Sequence, residues 1–176
     1  MKFTIKDQIP FPRERVSRVQ RDAPPQMAPY LNDIESITVE SKKEDGDVVS
    51  FVNQWKAKGG DIPAIAKAFI KPEMLRWADH AKWTESKWQC EWNMKLGFLP
   101  DAIVARGVNV WKELDANTTV VVIEGEIIIH ADKIPGVPKL LAGKIGAEVE
   151  KFVVKMIEPN LKQTSVGVTN YLRAQK

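Results

Sequence analysis

Residues 87–96 read KWQCEWNMKL and alternate strictly between polar and apolar side chains. In an extended chain, the apolar members of such a run all point to one face. The pattern is typical of a strand with one buried and one solvated face. It predicts a sheet that needs a second apolar layer on one side. The apolar face of this segment carries Trp88, Cys90, Trp92, Met94 and Leu96.

Six further segments show strand-like alternation, and short turns separate most of them. Gly46 lies in the turn at 44–47, where glycine can adopt a positive φ without steric cost. Turns at 84–86, 97–101 and 115–117 make the later strands hairpin neighbours, which predicts an antiparallel meander. The further predicted strands span residues 2–9, 34–43, 48–58, 75–83, 102–113 and 118–131.

The C-terminal part of the chain changes to a helical period. Over residues 141–157 the apolar side chains recur three and four positions apart, which predicts a long amphipathic helix. Pro159 should kink or end its first part, because proline lacks a backbone donor and clashes with the preceding turn. Two short helices are predicted after the first strand, at 13–21 and around 27–31, and another is predicted at 64–70.

The order of these elements determines the predicted fold class, which is α+β. A meander with one apolar face must bury that face, and the terminal helix is the only large apolar counterpart. We therefore expect a curved antiparallel sheet of about seven strands wrapped around the long C-terminal helix, with two short helices after the first strand. The length of 176 residues suits one domain, so residues 1–176 are predicted to form a single domain.

Composition and motifs argue against several functional classes. The net charge of +3 is too small to indicate nucleic-acid binding, and the single Cys90 excludes an internal disulfide or a cysteine-cage metal site. The sequence has no phosphate loop, dinucleotide fingerprint or nucleophile elbow, so no cofactor is predicted. The first ten residues lack a signal peptide's apolar core, and no apolar run approaches the ~18 residues of a membrane helix. A cytoplasmic location is therefore expected.

The layout resembles that of a known superfamily. Its order of elements is similar to the START-related (SRPBCC, Bet v 1-like) superfamily with the helix-grip fold, which includes the major birch-pollen allergen, polyketide cyclases and lipid-transfer domains. Residues 62–66, 83–92 and 144–152 show a weaker likeness to the phospholipid carriers of the PRELI type. The resemblance covers essentially the whole chain, but no short motif transfers an individual binding residue. It implies an internal cavity for a lipid or another largely apolar ligand.

The tryptophans indicate where such a cavity would lie. All six fall between residues 55 and 111, where most of the chain is predicted as strand. They fit either a core filled with large aromatic side chains or a cavity wall. Ala105, Gly107 and Gly125 favour a void, because a filled core would need large side chains at those inward positions. The candidate cavity-lining residues are Phe51, Asn53, Trp55, Trp77, Asp79, Trp88, Trp92, Asn109, Trp111, Val149, Phe152 and Met156.

Asp79 is the most informative polar candidate. It shares its strand face with Trp77 and Trp83, so it is expected to point inward if the strand is regular. An inward carboxylate needs a partner, or its pKa rises. Arg106 and Asn109 are candidate partners, but they fall on opposite faces of their strand, so at most one of them points inward.

Other polar residues on the sheet have simpler interpretations. Asn53 and Asn109 could orient a ligand's polar group, or they could bond to backbone or buried water, and both interpretations stay open. His80, Glu124 and Glu126 are expected on the solvated outer face, because each is out of phase with the apolar residues of its strand.

Three functions remain open from the sequence. The first is a non-enzymatic carrier or sensor of a lipid-like molecule, with Lys144, Lys151 and Lys155 at a transient membrane contact. The second is a cyclase- or hydrolase-type enzyme that uses Asp79 as an acid or base, which fails if Asp79 faces solvent. The third is a partner-binding module that acts through its surface, which a cavity smaller than roughly 300 Å³ would favour.

Overall fold

The structure is a computed structural model that describes residues 1–58, 75–97, 100–133, 140 and 142–175. The side chains of 131, 142, 145, 149, 150, 152–158 and 160 lie outside this description. Within the described residues, short 3-10 turns occupy Ala28–Tyr30, Glu85–Lys87 and Ala131–Lys133. The helices and strands are β1 (Lys2–Ile9), α1 (Arg13–Asp22), α2 (Pro24–Met27), β2 (Ile34–Asp45), β3 (Val48–Ala57), β4 (Arg76–Thr84), β5 (Gln89–Leu96), β6 (Ile103–Asp115), β7 (Thr118–Ile129) and α3 (Ala142–Ala174).

The seven strands form one antiparallel sheet in the order β1-β7-β6-β5-β4-β3-β2. Strands β2 to β7 follow one another as neighbours, and β1 pairs with β7 at the edge. Helix α3 contacts β1, β7 and the short helices, and its Leu161, Val168 and Leu172 are buried. The predicted fold class, an α+β helix-grip arrangement, is therefore confirmed.

Predicted and observed strand bounds agree to within two residues, with one instructive error. Trp88 does not belong to β5, because it follows the Glu85–Lys87 turn with φ 51° and ψ 47°. This left-handed conformation is unusual for a bulky residue, and the hydrogen bond from the Trp88 N–H to the Glu85 carbonyl closes the turn. Of the two outcomes predicted at Pro159, an end of the helix is wrong, because α3 continues through this residue. The helix predicted at 64–70 lies outside the described residues.

Gly107 and Gly125 mark the closest packing within the sheet. They pair directly across β6 and β7, and their outer neighbours in the same row are Trp92 and Phe3. A Cβ at Gly125 would lie 2.5 Å from Phe3 Cζ, and a Cβ at Gly107 would overlap the Trp92 ring and the Glu124 carbonyl oxygen. The prediction that these glycines leave a void is wrong, because the neighbouring rings already fill the space above them.

We expect Gly107→Ala and Gly125→Ala to lower the free energy of unfolding by about 1–3 kcal/mol, the usual cost of overpacking. Gly143→Ala is the matched control, because a Cβ added at this position on α3 would have no atom within 4 Å. Urea unfolding of the three variants measures the difference. Wild-type stability in Gly107→Ala would contradict the packing described above.

Candidate functional site

A cavity of about 110 Å³ lies between the inner face of the sheet and the helices. Strands β3 to β6 supply most of its wall, and α1, α2 and α3 close it from the other side. Five of its lining side chains are tryptophans. The lining residues that the structure describes are Gln20, Pro24, Met27, Asn53, Trp55, Trp77, Asp79, Ala81, Trp83, Cys90, Trp92, Met94, Leu96, Asn109, Trp111, Leu161 and Thr164.

Part of this wall follows the prediction from the sequence. Seven of the candidate residues line the cavity, namely Asn53, Trp55, Trp77, Asp79, Trp92, Asn109 and Trp111. Phe51 is buried in the core but is not among the lining residues. The side chains of Val149, Phe152 and Met156 lie outside the described part of the chain.

Trp88 does not line the cavity, which corrects the prediction made from the alternation of 87–96. Its turn conformation places its ring under the Arg13 guanidinium, 4.3 Å from the ring centroid. There it borders a surface groove together with Arg21 and Trp83. A regular strand would have carried the ring to the inner face, so the left-handed backbone explains the difference.

Several lining residues were missed, for different reasons. Cys90, Met94 and Leu96 share their strand face with Trp92, so the alternation itself could have found them. Gln20 could not be found this way, because only tertiary packing of α1 brings its amide against the sheet. Its Oε1 accepts a hydrogen bond of 2.5 Å from the Trp111 indole N–H.

The tryptophans form two stacked pairs inside the fold. The Trp55 and Trp77 rings lie 5.7 Å apart with an interplanar angle of 14°, and Trp83 and Trp111 lie 4.6 Å apart at 24°. The Trp92 indole N–H donates to Asn109 Oδ1 over 2.9 Å. Trp55 differs from the others, because its Nε1 is buried and has no hydrogen-bond partner. A buried donor without a partner is rare and costs about 1–3 kcal/mol.

Asp79 points into the cavity wall, as predicted. It pairs across the sheet with Asn53, whose side chain hydrogen-bonds to the carboxyl group. The residue is half-buried overall, yet protein atoms enclose the carboxyl group, and its Oδ1 is buried without a partner. This loss of solvation raises the pKa of Asp79 to about 7, and the hydrogen bond from Asn53 opposes the rise.

The predicted partners of Asp79 are wrong in both cases. Arg106 faces outward and forms an ion pair with Glu126, because it is out of phase with the inner residues of β6. Asn109 does face inward, but its Oδ1 accepts from Trp92 instead. Strand register explains why Asn53 is the partner of Asp79. Asn53 stands directly opposite Asp79 on the neighbouring strand, whereas β5 separates β4 from β6.

Cys90 is the second titratable group in the described cavity wall. It is 3% exposed, and burial raises the pKa of its thiol, with a further contribution from the nearby Asp79 charge. A thiol in this environment stays protonated and is a poor nucleophile. Asp79 is therefore the group in this wall that can exchange a proton near neutral pH.

The polar residues assigned to the outer face lie there. His80, Glu124 and Glu126 border an open groove on the side of the sheet opposite the cavity. Among the described residues, no group of three or more His, Cys, Asp or Glu side chains is placed to hold a metal ion. In the same part of the chain, no helix is both long enough and apolar enough to cross a membrane.

The lysines considered for a membrane contact are described only in part. Lys144 is exposed on α3, and Lys151 forms a 2.7 Å ion pair with Glu148 one turn earlier. The Lys155 side chain lies outside the described residues. The membrane contact thus stays a prediction.

Comparisons with known proteins identify the fold. No family model matches the sequence, and no curated protein matches it significantly. Among solved structures, the Zhui aromatase/cyclase from a Streptomyces species has a TM-score of 0.69 at 13% identity, with 100% of this chain and 96% of that chain covered. A protein from Thermus thermophilus, TTHA0849, has a TM-score of 0.66 at 19% identity, with 100% and 99% covered.

A third structure contains small molecules. Norcoclaurine synthase from Thalictrum flavum, in complex with dopamine and hydroxybenzaldehyde, has a TM-score of 0.58 at 10% identity, with 100% of this chain and 88% of that chain covered. At these identities the likeness establishes the fold alone. The chain therefore has the helix-grip fold, and its resemblance to START-related proteins is confirmed at that level.

Proposed function

We propose that this protein binds a small, largely apolar molecule between its sheet and its helices, and that Asp79 recognises a polar group of that molecule. The observation that carries the proposal is the enclosed Asp79 carboxyl group, whose Oδ1 has no partner within a wall of tryptophans. Buried polar atoms are nearly always hydrogen-bonded. A wall that keeps such atoms unpaired is better suited to a ligand than to a filled core.

The size of the cavity narrows the class of ligand. Its volume of about 110 Å³ is below the roughly 300 Å³ of common ligand pockets. A cavity of similar size, about 150 Å³, can hold a benzene molecule. Size alone would favour a surface-acting module, but the unpaired polar atoms of the wall favour a ligand of one ring or less. A lipid with long chains would require the wall to move apart.

The related folds support this choice by analogy. The structure of norcoclaurine synthase holds dopamine and hydroxybenzaldehyde, which are small aromatic molecules. The Zhui protein is an aromatase/cyclase. One fold can serve unrelated functions, so Asp79 and its surroundings support the proposal for this chain more directly than the fold does.

Filling the cavity tests the proposal. Ala81 lines the cavity, so Ala81→Leu should occupy part of the void and weaken binding of one-ring aromatic compounds at least tenfold. Ala78→Leu is the control, because this neighbour in β4 points to the opposite face. Thermal shifts against a panel of such compounds, with native mass spectrometry of the purified protein, provide the measurement. If the wild-type protein binds no compound and carries none, the surface module becomes the better explanation.

A second candidate function is acid–base catalysis on the bound molecule. A carboxyl group with a pKa of about 7 can both accept and donate a proton near neutral pH, which is the range that suits a general acid or base. Asn53 would position the carboxyl group, in the place predicted for Asn109 or Arg106. The hypothesis of a cyclase- or hydrolase-type enzyme required an inward Asp79, and the structure meets that requirement.

Titration of Asp79 should be visible in stability. The pKa of Asp79 is about 7 in the folded protein and near 3.9 in the unfolded chain. Between about pH 3.9 and pH 7, the folded protein therefore keeps a proton on Asp79 that the unfolded chain has lost. The contribution of this proton to the free energy of unfolding is fully present below about pH 4. It decreases as the pH rises toward 7, by at most about 4 kcal/mol. Urea unfolding of wild type and Asp79→Asn from pH 4 to 8 measures this effect.

The outer-face variant Glu126→Gln is the control for that titration, since it removes a carboxylate outside the cavity. Its stability should follow the wild-type pH dependence apart from the loss of the Arg106 ion pair. A stability difference between wild type and Asp79→Asn that does not change with pH would show that Asp79 has an ordinary pKa.

A further inference from the structure

We propose that the ligand is a small organic cation, a protonated amine that the tryptophan wall and Asp79 bind together. This inference rests on the proposed function and adds the charge and hydrogen-bonding character of the ligand. Three features of the cavity support it: its aromatic wall, its uncompensated carboxyl group and its unpaired acceptors.

The first feature is the number of indole rings. Trp55, Trp77, Trp83, Trp92 and Trp111 all line one cavity of about 110 Å³. The face of an indole carries negative electrostatic potential and attracts cations more strongly than any other side-chain ring. Four of these rings are stacked in two pairs, and the five indoles together give the cavity an aromatic wall of the kind that recognises ammonium groups.

The second feature is the charge of the wall. Asp79 is the one carboxyl group among the described lining residues, and none of those residues is Lys, Arg or His. The other titratable group, Cys90, is neutral when protonated. Gln20, Asn53, Asn109 and Thr164 are polar but uncharged. An ionised Asp79 therefore has no counterion among the described lining residues, and buried charges are normally paired. A cationic ligand would supply the missing partner.

The third feature is the set of unpaired atoms. Asp79 Oδ1 and Asn53 Oδ1 are both buried acceptors without a donor. They belong to residues that stand opposite each other on β3 and β4. An ammonium group with N–H bonds can donate to both, whereas a quaternary ammonium cannot. Trp55 Nε1, on the same face two residues further along β3, is a buried donor that an oxygen of the ligand could accept from.

A proton competes with this cation. When Asp79 is protonated, its O–H can donate to Asn53 Oδ1 and satisfy both unpaired acceptors without a ligand. Binding of an ammonium ligand therefore requires loss of that proton. Because the pKa of Asp79 is about 7, affinity should level off above pH 7, fall about fivefold from pH 7 to pH 6, and then approach a tenfold fall for each further pH unit.

The test uses three one-ring compounds of nearly equal size that differ in charge: benzylamine, benzyl alcohol and benzoate. At pH 8, calorimetry should show benzylamine binding at least tenfold more tightly than benzyl alcohol, with benzoate the weakest. Lowering the pH from 7 to 6 should weaken benzylamine binding about fivefold and leave benzyl alcohol binding unchanged. Phenyltrimethylammonium, which has no N–H donor, should bind more weakly than benzylamine.

Variants separate the inference from the proposed function. Asp79→Asn should abolish the preference for benzylamine and keep the binding of benzyl alcohol, while Glu126→Gln should bind all three compounds as the wild type does. If the wild type binds benzyl alcohol as tightly as benzylamine or more tightly, the inference of a cationic ligand is wrong, while the cavity remains a binding site. Failure of all three compounds to bind the wild type would overturn the proposed function as well. The wild-type series decides the question even if Asp79→Asn does not fold.

Discussion

The apolar face of the sheet must be covered, and this constraint determines the rest of the structure. Regular alternation in β3, β4 and β5 puts several indole rings on one face, and antiparallel pairing brings them side by side. Gly107 and Gly125 let the Trp92 and Phe3 rings lie against the sheet itself. Helices α1, α2 and α3 cover the remainder but leave about 110 Å³ open. The cavity is thus a product of packing large, flat side chains under helices.

Asp79 breaks the rule that inward positions of such a strand are apolar. Its neighbours on the same face are Trp77 and Ala81, so the residue cannot turn outward without a shift of register that would expose them. Burial makes the carboxyl group resist ionisation, and the hydrogen bond from Asn53 only partly offsets this effect. A residue that lowers stability at neutral pH is expected at a functional site more often than in a core.

Sequence patterns predicted the strands and the inward position of Asp79, because both follow from the period of two along a single strand. They did not predict its partner, which depends on register between strands. The register of β2 on β3 follows from the short turn at Gly46, but residues 58–75 separate β3 from β4, and no turn geometry fixes how Asn53 aligns with Asp79. Gln20 depends similarly on how α1 docks. The left-handed Trp88 is a local exception that alternation cannot detect.

Trp88 and Asp79 depart from local rules in different ways, and of these two Asp79 lines the cavity. Trp88 adopts a backbone conformation that is unusual for its size, yet its ring packs under Arg13 at the surface and closes a turn. Asp79 lies in a regular strand, but it places a carboxyl group with a buried, unpaired oxygen on the inner face of the sheet. A strained turn is accounted for by the hydrogen bond and the ring contact that it makes. The enclosed carboxyl group of Asp79, once ionised, has no counterion among the described lining residues, and its Oδ1 has no donor. That difference, more than the shape of the fold, is why function is assigned to the cavity.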